Sequence, residues 1–339
     1  MRLPVFDGHN DVLLAERSFS ERSEEGHLDL ERARAGGFAG GFFAIFTEHP
    51  DGFPLDAARG PDTPPEPPVP YTLAHPATLA GIGKLLALEE EGAVRVVREG
   101  ADLDLEAGGP IRAVMHIEGA EAIDPELEGL PALHALGLRS LGLTWSRPNV
   151  FGHGVPFAAP ASPDIGPGLT DAGRALVREC DALGILVDLA HLNERGFWDV
   201  AEVTARPLVV THACAHALVP TARNLTDAQL DAVGDSGGVV GVCFHYEDVG
   251  PDRTDIARHV DYIARRIGPA HVALGSDFDG CELPQGIAGA ADLQLVLEDL
   301  RALGWDEPEL RLVAHANFVR VLRQAQNAAS SRASPTGSS

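Results

Sequence analysis

The chain has 339 residues, 45% of them hydrophobic, enough for one large barrel or two ordinary domains around a substantial core. With 50 acidic residues against 26 basic ones the net charge is −24, and so negative a surface repels phosphate backbones and anionic lipid. Nucleic acid and membrane surfaces are therefore excluded as partners, and no run of about 18 apolar residues offers a bilayer span.

In chain order, short apolar runs alternate with longer amphipathic patterns. The runs are PVFDGH (4–9), GFFAIF (41–46), IRAVMHIEG (111–119), LRSLGLTW (138–145), GILVDLAH (184–191), PLVVTH (207–212), GVVGVCFH (238–245) and HVALGSDFDG (271–280). Helical patterns cover 76–99, 170–183, 226–236 and 253–267. Eight strand–helix repeats in about 300 residues predict a (β/α)8 barrel forming a single domain, residues 1–325. An open doubly wound sheet is the nearest alternative, but no GxGxxG turn follows the first run. Two Pro- and Gly-rich stretches, 47–70 and 146–169, interrupt the rhythm and read as loops shaping the barrel mouth. The tail from 326 to 339, QNAASSRASPTGSS, reads as disordered. The four cysteines, Cys180, Cys214, Cys243 and Cys281, form no CxxC pair, and Met1 leads straight into the first run without a leader pattern. Reduced thiols in a cytoplasmic protein are the expectation.

Chemistry-bearing residues collect at the C-terminal ends of these runs. His9 and Asp11 end the first, His116 and Glu118 the third, His191 the fifth and His212 the sixth, while Asp277 and Asp279 sit on the eighth. In a strand, residues i and i+2 share a face, so His-x-Asp aims an imidazole and a carboxylate at one spot. One such motif alone is more often a hydrogen-bonded pair. Metal-ligand types at the same end of five separate runs are another matter, because a barrel converges those ends on one mouth. Histidine with carboxylate suits zinc or a similar divalent ion. Five candidates, His9, Asp11, Glu118, His191 and His212, exceed one open tetrahedral site and predict two metals roughly 3.5–4 Å apart. The sole lysine, Lys84, falls in a helical pattern, which leaves Glu118 as the bridging group.

The motifs DGHND, IEGAEAI, DLAH, THACAHALVPTARN and GSDFDG resemble those of the membrane (renal) dipeptidase family, in the same order and to about residue 325. The resemblance implies a distorted (β/α)8 barrel with a binuclear zinc centre that hydrolyses dipeptides with a free C-terminal carboxylate and tolerates a D-residue there. It implies that His9 and Asp11 hold one ion, His191 and His212 the other, and that Glu118 bridges them. It further implies that Asp277 deprotonates the attacking water and passes the proton to the leaving amine, that Arg223 binds the substrate carboxylate, and that the enzyme is a homodimer.

The chain departs from the family in three places. Trp145 stands where the family has a histidine that helps stabilise the oxyanion, and losing one such donor typically costs about 10²–10³ in rate. His153, in the following FGHG, is a possible replacement, although an exposed loop histidine is the simpler reading. After the seventh run VCFHYED replaces an NFY-like segment, so that His245 or Tyr246 contacts substrate; His245 is carried as the candidate. AHANFVRVL places His315 at a small-residue position, read as packing. His116 is read as supporting the ligands, and the remaining histidines as loop or helix-surface residues. The competing readings are another amidohydrolase-type hydrolase or a deaminase, and a catalytically impaired relative on account of Trp145.

Overall fold

Strand β1 (Val5–Asn10) is buried along its whole length and opens the sheet. It is followed by β2 (Phe38–Phe46), β3 (Val94–Val96), β4 (Ile111–Glu118), β5 (Leu138–Gly142), β6 (Leu186–Asp188), β7 (Val209–Ala213), β8 (Val239–Cys243) and β9 (Val272–Gly275). The computed structural model describes residues 2–49, 60–105 and 109–333, with side chains as far as residue 327. The sheet runs β1-β2-β4-β5-β6-β7-β8-β9 with parallel pairing throughout. It closes where the Asp277 N–H donates to the His9 carbonyl at 2.9 Å and the Asp11 N–H donates to the Phe278 carbonyl at 2.8 Å. All eight expected strands are present, and the architecture is the (β/α)8 barrel.

The helices are α1 (Leu30–Gly36), α2 (Tyr71–Glu90), α3 (Leu130–Leu136), α4 (Asp171–Leu183), α5 (Glu194–Val203), α6 (Asp227–Asp235), α7 (Tyr246–Val249), α8 (Arg253–Ile267), α9 (Leu293–Ala302), α10 (Glu307–Arg311) and α11 (Asn317–Ala333). Among the described residues none is long and apolar enough to cross a membrane. The helix expected over 76–99 instead begins at Tyr71 and stops at Glu90. Gly92 follows in the left-handed region (φ 78°), and the β-branched Val94 and Val96 then pair with β4 as the short strand β3. Helix α11 crosses the boundary expected at residue 325, its Ala- and Gln-rich sequence sustaining the helix to Ala333; residues 334–339 lie outside the described residues. Of the 47–70 stretch, residues 50–59 likewise lie outside them, and 60–70 hold a turn but neither helix nor strand.

The core has two layers. One lies between strands and helices; the other fills the barrel itself with Phe6, Phe42, Val114, Leu186, Val209, Val239 and Ala273 packed on Phe318 and Leu322 of α11. Phe318 enters the barrel because Gly8 and Gly241 leave room: a Cβ on either would sit 2.7 or 3.0 Å from its Cζ. Its ring lies 5.2 Å from Phe42, which lies 6.2 Å from His116. The C-terminal helix thus closes the floor beneath the strand ends that carry the histidines.

Candidate metal centre

The strand ends bring the five expected ligands to one buried spot. Glu118, the last residue of β4, places Oε1 3.1 Å from Nε2 of His191, 3.6 Å from Nε2 of His212 and 3.7 Å from Nε2 of His9. His9 Nε2 lies 3.4 Å from Asp11 Oδ2, and the His191 and His212 Nε2 atoms face each other at 3.0 Å. Asp277 joins His9 and Asp11 in a second group of closely spaced ligand atoms. All five side chains are at most 6% exposed. Lys84 donates to the Leu13 carbonyl at 3.0 Å from α2, away from a bridging role.

Two of the three imidazoles are aimed from behind. His191 Nδ1 meets Ser146 Oγ at 2.8 Å, and His212 Nδ1 meets Thr211 Oγ1 at 2.9 Å. Thr211 Oγ1 in turn donates to Asp188 Oδ2 at 2.5 Å, a relay of the kind that fixes ring orientation around metals. With Nδ1 engaged by a hydroxyl, Nε2 faces the centre. His116 is turned aside to Ser140 Oγ at 2.9 Å, in keeping with a supporting place. His191 has φ 62°, a left-handed conformation that swings the side chain off the end of β6 toward Glu118.

The electrostatics fit a divalent cation. Burial raises Glu118 to about 8 despite His9, with Asp11 and Asp277 adding repulsion. Asp277 is likewise raised by burial and by Asp11. Burial disfavours the charged form of His9, yet Glu118 and Asp11 outweigh it and raise the ring to about 10. His191 and His212 are driven well below the ordinary range by burial, aided by Arg223 and His9, and so keep neutral, metal-ready rings. Both ring nitrogens of His9 are buried with no hydrogen-bond partner among the described residues. Three carboxylates and three imidazoles, with an orphaned ring among them, are a donor set that divalent ions complement.

The expected substrate residues surround this cluster. Arg223 is 6% exposed, donates from Nη2 to the His212 carbonyl at 3.3 Å, and has a buried Nε without a partner among the described residues. Trp145 stands 5.7 Å from the His191 ring, 4.9 Å from Phe46 and 5.3 Å from Phe157, forming an aromatic wall beside the ligands. His245, not Tyr246, is turned inward: its Nδ1 lies 3.0 Å from Asp248 Oδ2, whereas Tyr246 is 38% exposed. Asp277 and Asp279 lie beyond β9, which ends at Gly275, and both have positive φ.

Several supporting residues escaped sequence reasoning. Asp7 accepts from the Ser276 N–H at 2.7 Å and its hydroxyl at 2.8 Å, tying β1 to β9 under the site. The i−2 spacing of Asp7 from His9 was a usable signal. Ser146 and Ser140 carried none, because each is recognised only by a ring from another part of the chain, whereas the i+3 spacing of Asp248 from His245 was a usable signal.

Comparison with known proteins agrees with this geometry. The family described as membrane dipeptidase (peptidase family M19) matches residues 1–336. A metallo peptidase from Rhodobacter sphaeroides, solved with a phosphinate mimic of the dipeptide L-Ala-D-Ala, is 44% identical with a TM-score of 0.91, covering 96% of this chain and 100% of that one. An uncharacterized protein from the pqqA 5′ region of Klebsiella pneumoniae is 44% identical over 249 residues, 71% of this chain and 92% of its own. Dipeptidase aclJ of Aspergillus oryzae is 29% identical over 355 residues, 98% of this chain and 80% of its own.

Proposed function

The chain belongs to the membrane dipeptidase family, a family of metal-dependent peptide-bond hydrolases, and from that premise we propose that it is a binuclear zinc dipeptidase. The observation that carries this reading is the position of Glu118 Oε1 within 3.7 Å of three imidazole Nε2 atoms. His9 and Asp11 would hold one ion, His191 and His212 the other, with Glu118 shared between them. Bound there, the ions would polarise the scissile carbonyl and acidify a water molecule.

The chain's own residues do the rest. The Arg223 guanidinium binds the C-terminal carboxylate, a planar fork meeting a planar acceptor. Asp277 takes the proton of the attacking water and delivers it to the leaving amine. The Trp145, Phe46 and Phe157 rings pack against a substrate side chain, and His245 faces the substrate from the end of β8. A D-residue at the C-terminal position is part of the reading, supported by the L-Ala-D-Ala mimic bound to the Rhodobacter sphaeroides protein. So are a cytoplasmic location, supported by four free cysteines, and association as a homodimer, supported by the apolar Tyr71, Leu73 and Leu79 exposed along α2.

The test is hydrolysis of a panel of L-Xaa–D-Xaa and L-Xaa–L-Xaa dipeptides by zinc-loaded protein, paired with elemental analysis. Two zinc ions per chain and turnover that a chelator abolishes are expected. No turnover across the panel by fully loaded protein overturns the reading.

A further inference from the structure

We propose that Asp279, Arg17 and the main chain at His27 form a clamp that positions the Asp277 carboxylate. This rests on the reading of Asp277 as the proton-transferring group. The turn after β9 is held in an unfavourable shape, with Asp277 at φ 59° and Asp279 at φ 69°, a region that L side chains avoid and that persists only where the surroundings enforce it. Its inner edge is tied to β1 by the hydrogen bonds that close the barrel. Cys243 Sγ lies 3.7 Å from Asp277 Oδ2, and the outer edge of the turn is tied to segment 17–28 through Asp279. Oδ1 accepts from the His27 N–H at 2.6 Å, Oδ2 pairs with the Arg17 guanidinium, and the Asp279 N–H donates to His27 Nδ1 at 3.0 Å.

The clamp is itself anchored. Arg17 Nη1 donates to the Leu28 carbonyl at 2.8 Å, and the Arg17 and Asp279 side chains are 12% and 5% exposed. Gly26, at φ 69°, lies so close that a Cβ there would strike the Arg17 guanidinium and Asp279 Oδ1. Between the two tethers Phe278 is fully buried, 5.8 Å from Phe244 and 6.1 Å from His27. The turn has no slack toward the site either: a Cβ on Gly280 would lie 2.6 Å from Asp277 Oδ1 and would overlap Asp11 Oδ2. Segment 17–28 supplies none of the grouped ligand atoms. Its contact with the turn therefore acts on where Asp277 points, which makes Asp279 and Arg17 positioning residues.

The experiment measures kcat and KM for one dipeptide with metal-loaded D279N, R17M, D277N and the double variant D277N/D279N. A misplaced catalytic group costs about 10²-fold in rate. D279N and R17M are therefore expected to lose roughly 10–100-fold in kcat, with KM within about threefold and metal content unchanged. The double variant is expected to match D277N, because a clamp has nothing left to position once the carboxylate is gone. G26A, which displaces the clamp without removing a charge, is expected to give the same kcat loss and serves if D279N fails to fold. A kcat for D279N or G26A within twofold of wild type, or losses that multiply in the double variant, overturns the clamp. Full activity in D277N overturns the reading of Asp277 and the clamp with it; an inactive D277N beside an active D279N overturns the clamp alone.

Discussion

Arg147 and Glu121 form an ion pair at 2.7 Å in which each side chain is only 1% exposed. Arg147 lies after β5 and Glu121 after β4, so the pair locks the turn that follows Glu118 to the turn that follows Trp145. The same guanidinium donates to the Thr47 carbonyl at 2.7 Å and sits 4.9 Å from the Phe46 ring and 5.3 Å from the Trp145 ring. Removing one partner leaves a buried charge uncompensated, which typically costs about 3–5 kcal/mol. Glu121→Ala is expected to lower unfolding stability by that amount in denaturant titration. The double variant E121M/R147M, which removes both charges, is expected to be more stable than E121A.

Trp145 is the second test. Its contacts with Phe46, Phe157 and His191 make an apolar surface at the ligand cluster. Apolar pocket contacts are worth roughly 10–200-fold in discrimination. Trp145→Ala is expected to lower kcat/KM for dipeptides with large apolar side chains at least 10-fold more than for Gly-Gly. Equal losses across both substrates would show that the ring supports the fold rather than the substrate.

Arg223 is tested through the carboxylate role proposed for it. A hydrogen bond to a charged group contributes about 1.5–3 kcal/mol, roughly 10–150-fold in kcat/KM. Arg223→Gln is expected to lose that factor on dipeptides with a free C-terminus and almost none on their C-terminal amides, measured side by side. Unchanged preference for the free acid would remove Arg223 from the carboxylate site.

The His245–Asp248 pair carries a pH signature. Burial disfavours the imidazolium, but the hydrogen bond and charge of Asp248 outweigh it and raise His245 above its ordinary 6.5. Burial likewise pushes Asp248 up, yet the His245 hydrogen bond and charge bring it net below its ordinary 3.8. A raised histidine stabilises fully below its unfolded value and loses this as pH rises through the folded one. A depressed carboxylate stabilises above its unfolded value and loses this as pH falls through the folded one. Both contributions are present between about pH 4 and pH 6.5. The melting-temperature gap between wild type and H245Q is therefore expected to be wider at about pH 5.5 than at about pH 9.

Periodicity and residue type made the barrel legible. Eight apolar runs, five of them ending in residues able to bind metal or protons, set both the architecture and the address of the site, because a parallel barrel brings all its strand C-termini to one face. His9, Asp11, Glu118, His191 and His212 were named from that logic, and their convergence around Glu118 follows from it. Helix α2 was less legible. Nothing in the pattern over 76–99 marks where helix yields to strand except Gly92, whose left-handed backbone is a property of the folded chain.

What the sequence by itself determined is therefore the barrel and the chemical types at its mouth, since hydrophobic spacing and strand ends are local properties. Only the tertiary structure decided that Ser146 and Thr211 aim the imidazoles, that His245 rather than Tyr246 faces inward, and that Arg17 reaches the turn of Asp277. Ser146 with His191 and Arg17 with Asp279 join residues far apart in the chain, and such contacts depend on strand register and loop path, which no local pattern encodes. Thr211 and Asp248 are sequence neighbours of the rings they meet, but the direction each ring takes is set by the packed barrel.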